Sequence, residues 1–500
     1  MDQRLRSVCD LFVGDLREGS GLHEYDGLIQ DMSPGGVRAG LARLGGPPLD
    51  DPHDEAHLRA FEDNARLAFG ELEVHRSNPS THLPNFDLSC YDREYAPASD
   101  RAAAKRAHLA QWPDAVDMTI EALDAVPAPV ATALLGAFTG LVSAVNPADP
   151  QAPAAFAAHA RLMRHLQDAA EHGSPDASLG ARGLASLMGS FEATTVDIGR
   201  LAEIADSERD RLTAMLRDAC GRVDRDATLA EAVAALVADH PDADGVLTQA
   251  QAQVDEVLAF TRQHDLVPYT DGECIVATAP ESRRWAMAMM AWAAPGETDA
   301  PSFYWVTPPD PNWSAHDIED WLQVFSHSTL PAITLHEVSP GHFAHGRALR
   351  RAATPVRRIL MSPAFVEGWA HYTEELSLDL GFREGDPRFA AGVAIEGLVR
   401  VTRLAAAIGV HTGAMTVDDA ARRFESDAFL SGRAALAEAN RATFDPTYGR
   451  YTWGKLVIHE TQAKARQAWG SGYSHSRFHK AMLDLGAPPL GLLGTAVERG

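Results

Sequence analysis

No stretch of this 500-residue sequence approaches the ~20 consecutive apolar positions that a membrane span requires, so a transmembrane protein is not expected. After Met1-Asp2-Gln3-Arg4-Leu5-Arg6 no continuous apolar segment follows, because Asp10, Asp15 and Glu18 interrupt it. A signal peptide is therefore not expected either. Cysteine is scarce: Cys9, Cys90, Cys220 and Cys274 stand far apart. That scatter suggests neither a disulfide framework nor a thiolate zinc site, and it suits a reducing compartment. A cytoplasmic location is expected. Basic residues are in deficit, 44 Lys and Arg against 69 Asp and Glu, and the net charge of −25 argues against nucleic acid or an anionic membrane surface as partner. Internal repeats and low-complexity tracts are absent as well, and no feature specifies an oligomeric state. What remains is an ordinary globular composition, 45% hydrophobic and 23% charged.

Alanine and leucine runs are frequent and β-branched runs few, which favours helix. Apolar positions three and four apart predict helices over Leu5–Leu16, His53–Leu72, Arg101–Leu123, Pro127–Val145, Ala154–Glu171, Ser207–Leu236 and Asp244–His264. The texture changes after Asp265. Glu273–Ala277 and Ser302–Val306 are rich in β-branched and aromatic residues and predict a small sheet, with Ser302–Val306 as a candidate peptide-binding edge or else a packing hairpin. Helices follow over Pro387–Ile408, Val417–Asn440, Gly454–Gln467 and Ser471–Leu485, with a glycine- and aromatic-rich loop expected over Asp445–Gly454. The fold expected is mainly α: a large multi-helical cleft protein with a small β-sheet next to a metal-binding helix. Residues 1–265 would form the cleft wall and 266–500 the metal-binding catalytic part of one continuous compact unit.

Chemistry concentrates in Thr334-Leu335-His336-Glu337-Val338-Ser339-Pro340-Gly341-His342. Imidazole is the commonest protein ligand for zinc, and a glutamate beside the first histidine is the general base of zinc peptidases. Their usual motif places the histidines four apart on one helix face; here they lie six apart, and an unbroken helix would point them roughly 120° away from each other. Pro340 cannot donate to the carbonyl of His336, so the helix must break there. Gly341 then frees the backbone to swing His342 back. Taken alone, the stretch is equally an ordinary helix end. A second stretch, Glu367-Gly368-Trp369-Ala370-His371-Tyr372-Thr373-Glu374-Glu375, offers a carboxylate at the distance a following antiparallel helix needs for a third ligand. Gly368 would let that helix approach the metal closely.

With both stretches the chain resembles the DUF885 family of bacterial proteins, which are mostly helical and similar in their site to gluzincin metallopeptidases. The resemblance extends through Tyr25-Asp26-Gly27, Asp31-Met32-Ser33-Pro34, Tyr451-Thr452-Trp453-Gly454-Lys455-Leu456 and Phe478-His479-Lys480. It implies Zn2+ on His336, His342 and Glu367, with Glu337 as base. His345 departs from it, since relatives tend to carry glutamine there.

A zinc-dependent hydrolase that cleaves a peptide or small amide is the function expected, by metal-activated water with Glu337 taking the proton. Its rival is a metal-dependent enzyme acting on a non-peptidic small molecule, or a binding protein without turnover. The oxyanion needs a donor: Tyr451 comes first, at a position the resemblance marks, then Tyr448 and Tyr372. His479 is a further candidate for substrate or oxyanion, set against a purely structural histidine. His371 and Glu374 share a helical face with Glu367 and could orient a ligand. Arg347, Arg350 and Arg351 could grip a substrate carboxylate, whereas Asp418, Asp419, Arg422 and Arg423 read as a solvated helix face.

Overall fold

The computed structural model describes residues 1–280, 283–284, 286–297 and 300–500. Helices hold 67% of the residues and the strands form one small sheet, the mainly α class that the helical periodicity predicts. No described helix is long and apolar enough to cross a membrane. All four cysteines are free thiols.

Several predicted helices are each two, and local chemistry explains most of the breaks. Leu5–Leu16 divides into Gln3–Cys9 and Val13–Gly19. Arg101–Leu123 divides into Ala98–Ala110 and Trp112–Ala122, the second begun by Pro113, which has no N–H to donate backwards. Ser207–Leu236 divides into Ile198–Val223 and Leu229–Ala238, where Thr228 and Glu231 form a capping box. Val417–Asn440 divides at Phe429, whose φ of 57° ends Val417–Ala428 before Gly432–Phe444 begins. The charged face of Val417–Ala428 is locally satisfied, with Asp419 capping Thr416 and pairing with Arg422.

The sheet has three strands, β1 (Cys274–Thr278), β2 (Ala288–Ala291) and β3 (Ser302–Val306), in the order β1-β3-β2. β1 runs parallel to β3 with Cys274 opposite Ser302, and β2 runs antiparallel with Ala288 opposite Val306. Ser302–Val306 is therefore the central strand, and its expected role as an edge is corrected: both of its sides are paired, and the free edges belong to β1 and β2. The strand Ala288–Ala291 escaped prediction because Ala-Met-Met-Ala contains neither a β-branched nor an aromatic residue.

Hydrophobic clusters cross residue 265. Leu212 and Leu216 pack with Leu398 and Leu404 of the long helix Pro387–His411. Val254 and Val257 of Ala243–Gln263 share a cluster with Tyr304 and Val306 of β3 and with Leu335. The segment Asp445–Gly454 is a loop only to Gly449; the helix Arg450–Trp469 already holds Tyr451 in its first turn. That helix lies against Pro363–Asp379 so closely that a Cβ on Gly368 would sit 2.5 Å from the Gly454 Cα. Gly368 therefore serves helix crossing rather than approach to a metal.

Replacing a helical glycine by alanine ordinarily gains about 1 kcal/mol. At Gly368 the steric overlap should outweigh that gain and destabilise by about 1–3 kcal/mol. Denaturant titration of Gly368→Ala should show the loss, while Gly136→Ala, where a Cβ meets nothing within 4 Å, should be neutral or stabilising.

Candidate metal centre

Every residue of the helix Leu330–Glu337 is buried, which fixes His336 and Glu337 at its end. The chain then leaves helical geometry at Val338, with φ −103° and ψ −86°, and re-enters it at His342–Leu349. The Gly341 amide donates back to the Leu335 carbonyl at 3.2 Å, and a Cβ at Gly341 would overlap the His336 carbonyl oxygen. Glycine is thus required by close approach, its φ of −73° being ordinary. The Trp369 indole donates to the Pro340 carbonyl at 2.9 Å, so the second motif clamps the break in the first.

The result brings the His336 and His342 rings to 4.7 Å between centroids, nearly perpendicular at 88°. Glu367 Oε2 lies 3.4 Å from Nε2 of each, and the three ligand atoms lie within 4.8 Å of one another. Two ligands about 2.1 Å from a tetrahedral zinc stand about 3.4 Å apart.

The outer layer fixes protons. His336 Nδ1 donates to Glu374 Oε1 at 2.7 Å, which leaves Nε2 facing the Glu367 oxygen. The Nε2 lone pair faces an anion, so either a proton or a metal ion would sit between the two. Glu374 Oε2 also accepts from His371 Nδ1 at 3.2 Å, and Arg400 lies 3.3 Å from both Glu374 oxygens and 3.1 Å from Glu396.

Burial opposes charge on His336, yet hydrogen bonds to Glu367 and Glu374 prevail and hold its pKa up at about 9. Burial likewise opposes ionisation of Glu374, but Arg400, His371 and His336 hold it well below the usual carboxylate range. Glu367 is held low against burial by its two imidazole neighbours. Burial raises Glu396, opposed by Arg400 and reinforced by the Glu374 charge. Burial and then the Lys455 charge push His371 down to about 4, so it is a neutral donor.

Of the remaining candidates, Glu337 is 8% exposed and makes no side-chain hydrogen bond among the described residues. Its charge reaches Cys274 on β1, whose thiol burial and Glu337 together push up to about 12. The Tyr451 ring stacks on His336 at 6.4 Å. Tyr448 is not brought to the centre: fully buried, it donates to the Glu438 carbonyl at 2.7 Å and to Glu438 Oε2 at 2.9 Å. Tyr372 and His479 pair with each other at 3.0 Å. His479 Nδ1 donates to the Leu266 carbonyl at 2.6 Å, burial holds its pKa down at about 3, and the ring packs edge-on against Trp369. With both nitrogens engaged, the expectation that His479 meets substrate is corrected; it braces the helix behind the ligands.

His345 is a buried neutral imidazole on the Gly486 carbonyl at 3.3 Å, packed on Phe365. Arg347 and Arg351 share Asp271 at 3.0 and 2.9 Å, and Arg350 donates to the carbonyls of Ala293 and Glu297. The expected carboxylate grip is not built from these three. Arg400 and Glu396 were missed by motif reading. Their signal was available: charges at positions 396, 400 and 403 interrupt an otherwise apolar helix at spacings of four and three.

The donor set suits zinc: two imidazole nitrogens, each 3.4 Å from one carboxylate oxygen, with His336 oriented from behind.

A family model described as "Bacterial protein of unknown function (DUF885)" matches residues 19–497. Two solved structures share the fold. One is described as a "putative lipoprotein of unknown function" from Shewanella oneidensis; it is 18% identical at a TM-score of 0.77, with 98% of this chain and 97% of that chain covered. The other, a "putative lipoprotein" from Colwellia psychrerythraea, is 17% identical at a TM-score of 0.78, with 99% and 97% covered. No curated protein sequence matches.

Elemental analysis after zinc-replete expression should find one zinc per chain, lost in His342→Ala. Glu374→Ala keeps all three ligands but loses the support of His336, and its zinc affinity should fall about 10–100-fold in a chelator competition.

Proposed function

The chain belongs to the DUF885 family, and from the centre it carries we propose that it is a zinc-dependent hydrolase of a peptide or related amide bond. The observation that carries this reading is Glu337: an unbonded carboxylate adjoining a candidate ligand histidine, beside two imidazoles and a carboxylate whose ligand atoms lie within 4.8 Å of one another. A site that only bound metal would need the ligands and not the base.

His336, His342 and Glu367 would hold the ion, and zinc there supplies an electrophile that polarises a carbonyl and brings the pKa of water toward about 7. Glu337 takes the proton of the attacking water on its carboxylate and returns it to the leaving nitrogen. Glu374 keeps the His336 proton on Nδ1, so that Nε2 presents its lone pair. Tyr451, stacked on His336, is the assigned hydroxyl donor to the developing oxyanion. The four unpaired thiols support a reducing, cytoplasmic place of work. Cell fractionation tests this, because a lipid-anchored form would travel with membranes.

Glu337→Gln fills the same space and cannot accept the proton. Zinc content should stay at the wild-type level while the hydrolytic rate falls about 10²–10⁴-fold. A loss under about fivefold would place the base elsewhere. Tyr451→Phe should lower kcat about 10²–10³-fold with little change in KM, because its bond strengthens in the transition state. Tyr448→Phe instead removes a buried donor to Glu438 and should act on melting temperature.

A further inference from the structure

Beside the metal centre, three guanidinium groups converge on two tyrosines with two carboxylates to balance them. Arg450 grips Asp445 through Nη1 at 2.7 Å and Nη2 at 2.9 Å, and Arg441 reaches the same carboxylate at 3.2 and 3.1 Å. Arg403 holds Glu438 in a second two-point pair at 2.9 and 2.7 Å. Both carboxylates are consumed by these pairs, and the next carboxylates within electrostatic reach are Glu396, near Arg403, and Glu367, near Arg450.

Two of the three guanidinium groups lie against Tyr451. The guanidinium carbon of Arg403 stands 5.2 Å from its ring centroid and that of Arg450 5.7 Å. Donors also remain. Arg403 Nη1, Arg441 Nη1 and Arg450 Nε make no hydrogen bond among the described residues, and the side chains keep 17%, 30% and 17% exposure. Guanidinium N–H groups left without a partner beside the candidate centre suit a planar anion.

We infer that Arg403, Arg441 and Arg450 form the subsite that receives a carboxylate of the substrate, which narrows the substrate class to amides with a carboxylate close to the scissile bond. The planar fork of arginine matches a carboxylate with two parallel hydrogen bonds. With Tyr451 stacked 6.4 Å from His336, the Arg403 guanidinium lies within about 12 Å of that imidazole, a span that one to three extended residues cover at about 3.3 Å each. The carboxylate is then a free peptide C-terminus or an acidic side chain within that reach. The inference rests on the hydrolase reading for its reaction and on side-chain geometry for its place.

The test uses acetylated tetrapeptide pools of mixed sequence in three forms: free C-terminal carboxylate, C-terminal amide, and amide with aspartate last. Cleavage by the zinc-loaded full chain is followed by mass spectrometry, and retention is measured on its Glu337→Gln variant. One carboxylate-bearing pool should be favoured over the plain amide about ten- to a hundredfold in both readouts, and which pool it is identifies the source. The paired variant Arg403→Gln/Glu438→Gln removes a cation and an anion together, so no buried charge is stranded. It should bring the preference toward unity with melting temperature and zinc content near wild type, while Arg403→Lys keeps part of it. Equal cleavage and retention of all three pools would overturn the inference and leave the hydrolase reading standing. An undiminished preference in both the paired variant and Arg441→Gln would overturn the arginine assignment. If no pool is cleaved or retained, the hydrolase reading fails and takes the inference with it.

Discussion

Three carboxylates, from Glu367, Glu374 and Glu396, lie around the His336 imidazole in the interior, and Arg400 is the guanidinium bonded among them. A cluster with that excess of negative charge is unfavourable in a low-dielectric interior unless cations enter it. Much of the surrounding architecture answers this constraint. Arg400 sits on an apolar helix, where it neutralises Glu374 from behind. His336 gives its Nδ1 proton to the same carboxylate and turns its other nitrogen toward Glu367. A proton on His336 offsets part of that excess, its pKa being held up at about 9, and the proposed divalent ion would take that proton's place.

Holding that cluster demands unusually close backbone contacts. Two helical segments must end and begin within a few residues, and Gly341 is the residue whose missing side chain lets the chain fold over the His336 carbonyl. Trp369 then bonds the carbonyl of Pro340 across to the next helix. Behind it, Gly368 and Gly454 let the helices Pro363–Asp379 and Arg450–Trp469 nearly touch. One consequence is that Tyr451, on the second of these helices, comes to lie over His336. Lys455, one turn further on and fully buried, pairs with Glu375 and with Glu208 at 2.6 Å, tying both helices to Ile198–Val223. The segment Tyr451–Leu456 thus divides between site and scaffold, with Tyr451 beside His336 and Gly454 and Lys455 in the frame.

The arginines divide in a similar way. Those next to His342 in sequence, Arg347, Arg350 and Arg351, are occupied by Asp271 and by backbone carbonyls, whereas Arg403, Arg441 and Arg450 come from two other helices and one helix start to lie over Tyr451 and Tyr448. Proximity along the chain was a poor guide because the guanidinium group reaches far, and its partner is set by which helices cross.

Much of the centre was legible in one dimension. His336, Glu337, His342 and Glu367 stand in a pattern whose spacing, proline and glycine carry a physical meaning independent of context, and helical periodicity shows directly in the order of apolar residues. Helix breaks at Pro113, Thr228 and Phe429 were also partly local, since caps and prolines act within a few residues. Other features depended on the assembled fold. The strand order β1-β3-β2 made Ser302–Val306 central, and pairing between distant segments leaves no mark on either segment alone. His479, equally exposed or buried on the evidence of an amphipathic helix, was decided by Tyr372 and Leu266, residues 107 and 213 positions away. Tyr451 and Tyr448 differ by three positions, yet one faces His336 and the other Glu438. Residue type and local spacing determine which chemistry a chain can offer, because ligand, base and helix-breaker are properties of single residues and near neighbours. Which copies of that chemistry meet is decided by packing, because burial, pairing and orientation belong to contacts between elements far apart in sequence.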